Sequence, residues 1–225
     1  MARHTDNQFE VELDELRAKL LAMAGLVERM IADAIDALTR HDSALAEQTI
    51  LLDRKVNRAE LDIDQRCLMI LARRQPVASD LRFVTLALKM VTDIERIGDI
   101  VVNVCERVVQ LEATPALTNY DDIARMADIV RAMVRDAIDA FVHGDGDKAE
   151  AVLARDDEVD ELYHRVFRSL LAHIREKPEL VEAGVALQSV AKYLERIGDH
   201  STNLAEQVIF LLRGTDLRHK GKLED

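Results

Sequence analysis

The chain repeats itself. Ile31 to Asn57 aligns with Val134 to Asp160 without a gap, sharing Asp33/Asp136, Ala34/Ala137, Ile35/Ile138, Asp36/Asp139, Asp42/Asp145, Glu47/Glu150, Asp53/Asp156 and Val56/Val159 at an offset of 103. Farther on, Glu95-Arg96-Ile97-Gly98-Asp99 returns as Glu195-Arg196-Ile197-Gly198-Asp199. Asn103/Asn203, Glu106/Glu206, Val108/Val208 and Leu111/Leu211 follow in both copies, now at an offset of 100. The difference between the offsets marks a shortened connection of the kind a surface turn tolerates. A tandem duplication of roughly 100 residues per unit therefore organises the chain, and each unit must form the same supersecondary motif.

With 8 Gly and 3 Pro in 225 residues, few positions interrupt long helix-permitting stretches. Breaks fall at His41-Asp42-Ser43, Gln75-Pro76, Thr114-Pro115, His143-Gly144-Asp145-Gly146 and Lys177-Pro178, which predicts six long helices. Short connections force consecutive helices to lie antiparallel, so the expected fold is all-α, two tandem three-helix up-down-up bundles. The first repeat is placed at 8–113, the second at 118–214 and a charged C-terminal tail at 215–225, with a basic cluster at Arg218, His219, Lys220 and Lys222. Gly144 reads as a C-cap and the recurring turn aspartates Asp42 and Asp145 as N-caps, for which a structural role suffices.

A formal charge of −12 repels nucleic-acid phosphates, so DNA or RNA is not expected as a partner. Cys67 and Cys105 lack CxxC or Cys/His spacing and are expected as buried free thiols. The first ten residues carry charges and no apolar stretch, and no run of about 18 apolar residues occurs. Neither a signal peptide nor a membrane span is expected.

The repeated acidic segment carries the chemistry. Residues four apart on a helix differ by about 40° and project side by side, so Glu95 and Asp99, and likewise Glu195 and Asp199, form carboxylate pairs. Asn103 and Glu106, with Asn203 and Glu206, extend the strip along the border of the apolar sector. In an antiparallel hairpin, residues equidistant from the turn lie level. A first turn between Arg74 and Ser79 sets Glu95 opposite Asn57 or Arg58 and Asp99 opposite Asp53 or Arg54. A turn at Lys177-Pro178 sets Glu195 beside Asp160 or Glu161 and Asp199 beside Asp156 or Asp157. Asp53 and Asn57, and Asp156 and Asp160, are again i,i+4 pairs. Each copy thus offers four oxygen-bearing side chains at one level.

Oxygen ligands without cysteine or a duplicated histidine suit hard or borderline ions, Mg²⁺, Mn²⁺ or Fe, at two sites. The competing reading is an acidic border strip neutralised by arginines of neighbouring helices. A ferritin-like di-iron oxidase needs two ExxH motifs. Only Glu161-Leu-Tyr-His164 fits, because Arg58 and Leu61 stand at the aligned positions of the first copy. No Ser-His-Asp arrangement, phosphate-cradling Gly loop or reactive cysteine appears, so an enzyme is not expected. Asn57 stands where the second copy has Asp160, which predicts a lower charge at the first site. Arg73, Arg74 and Arg82 make the first hairpin tip basic, whereas Glu176, Glu179 and Glu182 make the second acidic.

The two Glu-Arg-Ile-Gly-Asp copies resemble the PhoU family, as do Leu71-Ala-Arg-Arg-Gln-Pro76 with Asp80-Leu-Arg82, LERIGDHSTN from Leu194 to Asn203, Ala205-Glu206 and Gly214-Thr-Asp216. The resemblance covers nearly the whole chain. It implies two PhoU repeats with polynuclear metal clusters at Glu95, Asp99, Glu195 and Asp199. It further implies a cytoplasmic negative regulator of the phosphate-starvation response. Such a protein would link a phosphate ABC transporter, through its ATPase subunit, to a membrane sensor histidine kinase. Members are often homodimers, peripheral to the membrane through their partners.

Overall fold

The computed structural model describes residues 2–112, 114 and 120–213, with side chains from residue 8. The expected tail at 215–225, its basic cluster and the repeat edges placed at 113, 118 and 214 lie outside the described residues. Among the described residues seven α-helices follow one another: α1 (Ala2–Arg40), α2 (Ser43–Arg74), α3 (Ala78–Leu111), α4 (Asp121–His143), α5 (Gly146–Leu153), α6 (Asp156–Glu176) and α7 (Val181–Arg213), with a 3₁₀ turn at Pro178–Leu180. The fold is all-α. The helical rods number six, as the apolar periodicity predicts, but the fifth is split into α5 and α6 by two residues, Ala154 and Arg155.

Local chemistry accounts for the ends. Asp42 Oδ1 accepts from Leu45 N and Asp145 Oδ1 from Lys148 N, each at 2.9 Å, so both turn aspartates cap the following helix. Gly144 ends α4 in the left-handed region at φ 68°, where a glycine pays no Cβ penalty; His41 takes the aligned position at φ 54°. At the break before α6, Glu158 N and Val159 N both donate to Arg155 O, starting a new helix there. The Arg155 side chain reaches α4 and binds Asp136 at 2.7 Å, whereas the aligned residue of the first copy is Leu52. Asp156, Asp157 and Glu158 therefore occupy a first helical turn, where the backbone N–H groups favour negative charge.

Within each repeat the three rods pack on one another, α2 against α1 and α3 with α1 also on α3, and α5 and α6 against α4 and α7 with α4 also on α7. The repeats join through α3 on α7 and α1 on α4. One continuous core results, running through Met30, Met90, Ile94, Ile97, Met126 and Phe141, all essentially excluded from water. Burial of apolar area at about 25 cal/mol per Å² makes this shared core the main source of stability. The α3–α7 seam also carries polar ties: Asp93 accepts from Gln207 at 3.0 Å and meets His200 Nδ1 at 3.2 Å. Cys67 and Cys105 are buried free thiols, and burial pushes each up to about 12. Among the described residues no helix is long and apolar enough to cross a membrane.

Arg74 does not contribute to a free basic tip. Its guanidinium forks onto Glu12 of α1 through Nε at 2.9 Å and Nη2 at 2.6 Å, holding that carboxyl below its usual range. The tip itself turns through Gln75 and Ala78, both with φ 48°.

Candidate metal centres

The centres sit at the glycines of the repeated motif. A helix that buries Ile94 and Ile97 toward the core turns Glu95 and Asp99 to its flank, and Gly98 lies on the face toward α2. A Cβ placed on Gly98 would meet Val56 Cγ1 at 3.2 Å and Asp53 Oδ1 at 3.8 Å. The second copy matches: from Gly198 the same distances are 3.5 Å to Val159 Cγ1 and 3.7 Å to Asp156 Oδ1. The absence of a side chain at each glycine lets the aspartate of the neighbouring helix approach the ExxxD backbone. The two glycines thus face Asp53 and Asp156, the aspartates that the level rule sets beside Asp99 and Asp199.

In the first centre, Asn57 Nδ2 donates to Asp53 Oδ2 at 2.9 Å. That bond leaves Asp53 Oδ1 and Asn57 Oδ1, both shielded from water, without a hydrogen-bond partner. Burying an unmatched oxygen costs on the order of 1–3 kcal/mol, so each is a ready acceptor for a cation. Burial, then the charge of Asp99, raises Asp53 above the usual carboxylate range against the Asn57 bond. Glu95 is raised by burial and by Asp99, Glu60 and Asp53, with Arg96 opposing. Glu60 is raised by burial, Asp64 and Asp99. It thus joins the cluster one helical repeat beyond Asp53, an i,i+7 relation that the sequence carries but that i,i+4 pairs alone do not reveal. Asn103 Nδ2 donates to Asp99 O at 2.8 Å, so its amide serves the helix.

In the second centre, burial raises Asp156 to about 6, reinforced by Asp160, Asp199, Asp157 and Glu195. Asp199 rises through burial and Glu195, with Lys192 opposing. Lys192 Nζ lies 2.6 Å from both oxygens of Glu195 and 5.5 Å from the centre of the Tyr163 ring. This i,i+3 pair was readable as helical spacing but falls outside the ExxxD motif. Arg96 and Arg196 remain exposed. Among the described residues no arginine lies within ion-pair distance of Asp53, Glu95, Asp99, Asp156, Asp160, Glu195 or Asp199. At the second centre Lys192 supplies the neutralising charge instead.

The first centre groups Asp53, Glu60, Glu95 and Asp99, with Arg96 acting on Glu95 from outside ion-pair distance, whereas the second groups Asp156, Asp157, Asp160, Glu195 and Asp199 with Lys192. Asn57 stands in the first centre where Asp160 stands in the second, and Glu60 adds a carboxylate to the first. His164 is exposed and lies against Tyr163 rather than in the carboxylate group. Where the first copy has Glu60 and Asp64, the second has Tyr163 and Phe167, which with Leu171, Val185 and Lys192 line an apolar groove of about 400 Å³ between α6 and α7.

Among the described residues no three His, Cys, Asp or Glu side chains converge tightly enough to hold a metal ion as they stand. The donor set nevertheless suits a hard cation: all oxygens, mostly carboxylate, two of them orphaned and shielded, in a group whose mutual repulsion favours either protons or cations.

Comparison with known proteins supplies the family. The PhoU domain model matches residues 20–108 and again 123–208. The chain belongs to the PhoU family. The phosphate-specific transport system accessory protein PhoU homolog of Pseudomonas putida is 43% identical over 222 residues, covering 98% of this chain and 87% of that one. The crystal structure of PhoU from Pseudomonas aeruginosa superposes with a TM-score of 0.85 at 42% identity, covering 92% of this chain and 100% of that one. A phosphate transport system regulatory protein PhoU from Streptococcus pneumoniae gives a TM-score of 0.84 at 28% identity, covering 93% and 99%. Each PhoU-model match contains one glutamate-to-aspartate motif, midway along the last helix of its repeat.

Proposed function

We propose that this PhoU chain is a metal-binding cytoplasmic adaptor of a phosphate transport system and a negative regulator of the phosphate-starvation response. It couples the ATPase subunit of a phosphate ABC transporter to a sensor histidine kinase, acts as a homodimer and catalyses no reaction of its own. The observation that carries this reading is the two-fold recurrence of a carboxylate-lined centre in a chain whose relatives are named accessory proteins of phosphate-specific transport systems.

The residues that would hold the metal are Asp53, Asn57, Glu60, Glu95 and Asp99 in the first centre and Asp156, Asp160, Glu195 and Asp199 in the second. Mg²⁺, Mn²⁺ or an iron ion fits such oxygen donors. The metal supplies positive charge that relieves carboxylate repulsion and ties α2 to α3 and α6 to α7. Loading requires rotation of these side chains, which costs little for the exposed Asp99 and Asp199. Partner contact then responds to the stiffness of these helix pairs.

Deletion of the gene tests the regulatory role. Derepression of a phosphate-starvation reporter in phosphate-rich medium is expected, and unchanged repression overturns it. Elemental analysis of purified wild type against Glu95→Gln and Glu195→Gln tests the metal: stoichiometric metal that falls in the variants supports it, and equal content in all three rejects it.

A further inference from the structure

Besides Asn57/Asp160, Arg54/Asp157 and Arg58/Glu161, two aligned exchanges distinguish the centres. On the middle helix Glu60 corresponds to Tyr163, and on the third helix Thr92 corresponds to Lys192. In the first repeat Thr92 Oγ1 donates to Leu88 O at 3.3 Å and takes no part in the acidic cluster. In the second, the Lys192 ammonium lies 2.6 Å from the Glu195 carboxylate, whose side chain is 15% exposed, and beneath it lies the Tyr163 ring. At these two positions the first repeat carries one anion and the second one cation.

We infer that Lys192 is a resident counter-ion of the second centre that competes with metal for Glu195, so that the two centres fill in a fixed order, the first before the second. This inference rests on the metal-binding reading. A cation entering the second centre must displace the ammonium from Glu195 or bind beside a like charge, and either weakens its affinity by about tenfold or more at this partly shielded distance. In the first centre Thr92 holds the aligned position, and among the described residues no cationic side chain lies within ion-pair distance of Glu95. Lys192 is itself 48% exposed and stands at the mouth of the α6–α7 groove, so it can swing into solvent when displaced. Lys192 is thus a specificity-determining residue, setting which concentration of metal the second centre registers.

The test is Mn²⁺ titration of the full-length chain, free Mn²⁺ being followed by its electron paramagnetic resonance signal. Two classes of site are expected, the tighter removed by Glu95→Gln and the weaker by Glu195→Gln. Lys192→Met should tighten the weaker class about tenfold and leave the tighter one in place, and Thr92→Lys should weaken the tighter class by a similar factor. Circular dichroism checks that both variants are folded, and Lys192→Gln serves where Lys192→Met does not fold. Second-class affinity within twofold of wild type in the lysine variants overturns the inference while leaving metal binding intact, as does loss of the tighter class in Glu195→Gln. Mn²⁺ binding unaffected by both glutamate variants, or absent altogether, overturns the metal reading and this inference with it.

Discussion

Gly98 rests on Val56 so closely that a methyl group added to the glycine would lie 3.2 Å from the valine Cγ1, whereas Gly198 leaves 3.5 Å to Val159. Glycine inside a helix costs about 1 kcal/mol relative to alanine. Gly198→Ala, entering at ordinary contact distance, should stabilise the metal-free protein by about 0.5–1 kcal/mol. Gly98→Ala forces Val56 to give way and should gain less than Gly198→Ala or lose stability outright. Urea denaturation of the two variants measures the difference, and equal stabilisation would contradict the tighter packing of the first repeat.

The raised carboxylates set the pH dependence. Asp156, at about 6 in the folded protein, binds its proton more tightly than in the unfolded chain, and Asp53, Glu60, Glu95 and Asp199 are shifted in the same direction. Their stabilising contribution is complete below the unfolded carboxylate range and is lost as pH rises through the folded values. With chelator present, these groups should add stability as pH falls from 7 toward 5. Asp156→Asn should raise the melting temperature at pH 7 and flatten this slope; a variant that melts lower at pH 7 would show that its charge is not strained.

Metal should replace the proton. At pH 7 a cation present at 100 times its dissociation constant stabilises by about 2.7 kcal/mol, and the gain should shrink at pH 5, where protons compete for the same oxygens. Melting curves with Mn²⁺ and with chelator at the two pH values check this, and Glu60→Gln should reduce the gain through the first centre.

Asp42 and Asp145 cap α2 and α5 through equivalent bonds. Asp42→Ala and Asp145→Ala should each cost about 1 kcal/mol, whereas Asp→Asn at either position should cost much less because the amide oxygen still accepts. Neither change should alter metal content, which distinguishes these repeated aspartates from Asp53 and Asp156 by elemental analysis.

Much of the fold was legible because its determinants are local. The turn residues, the caps at Asp42, Asp145 and Gly144, and the antiparallel rods follow from spacing along one segment. The break at Ala154-Arg155 was not, since its anchor is the contact of Arg155 with Asp136 on another helix. Arg74 likewise reads as a free charge at a basic tip until α1 brings Glu12 to it. Glu60 and Lys192 lie within reach of helical spacing, at i,i+7 from Asp53 and i,i+3 from Glu195, but outside the repeated Glu-Arg-Ile-Gly-Asp motif.

By itself the sequence determined the duplication, the helical rods and the ExxxD carboxylate pairs, together with the height at which Asp53 and Asp156 meet them, since helical rise and turn position are properties of consecutive residues. Only the tertiary structure decided that Gly98 and Gly198 turn toward those aspartates, and that Lys192 pairs with Glu195 over the Tyr163 ring. Rotation of one helix against another is chosen by how Val56, Ile97, Val159 and Ile197 pack into the shared core, and that choice is made by contacts between residues far apart in the chain.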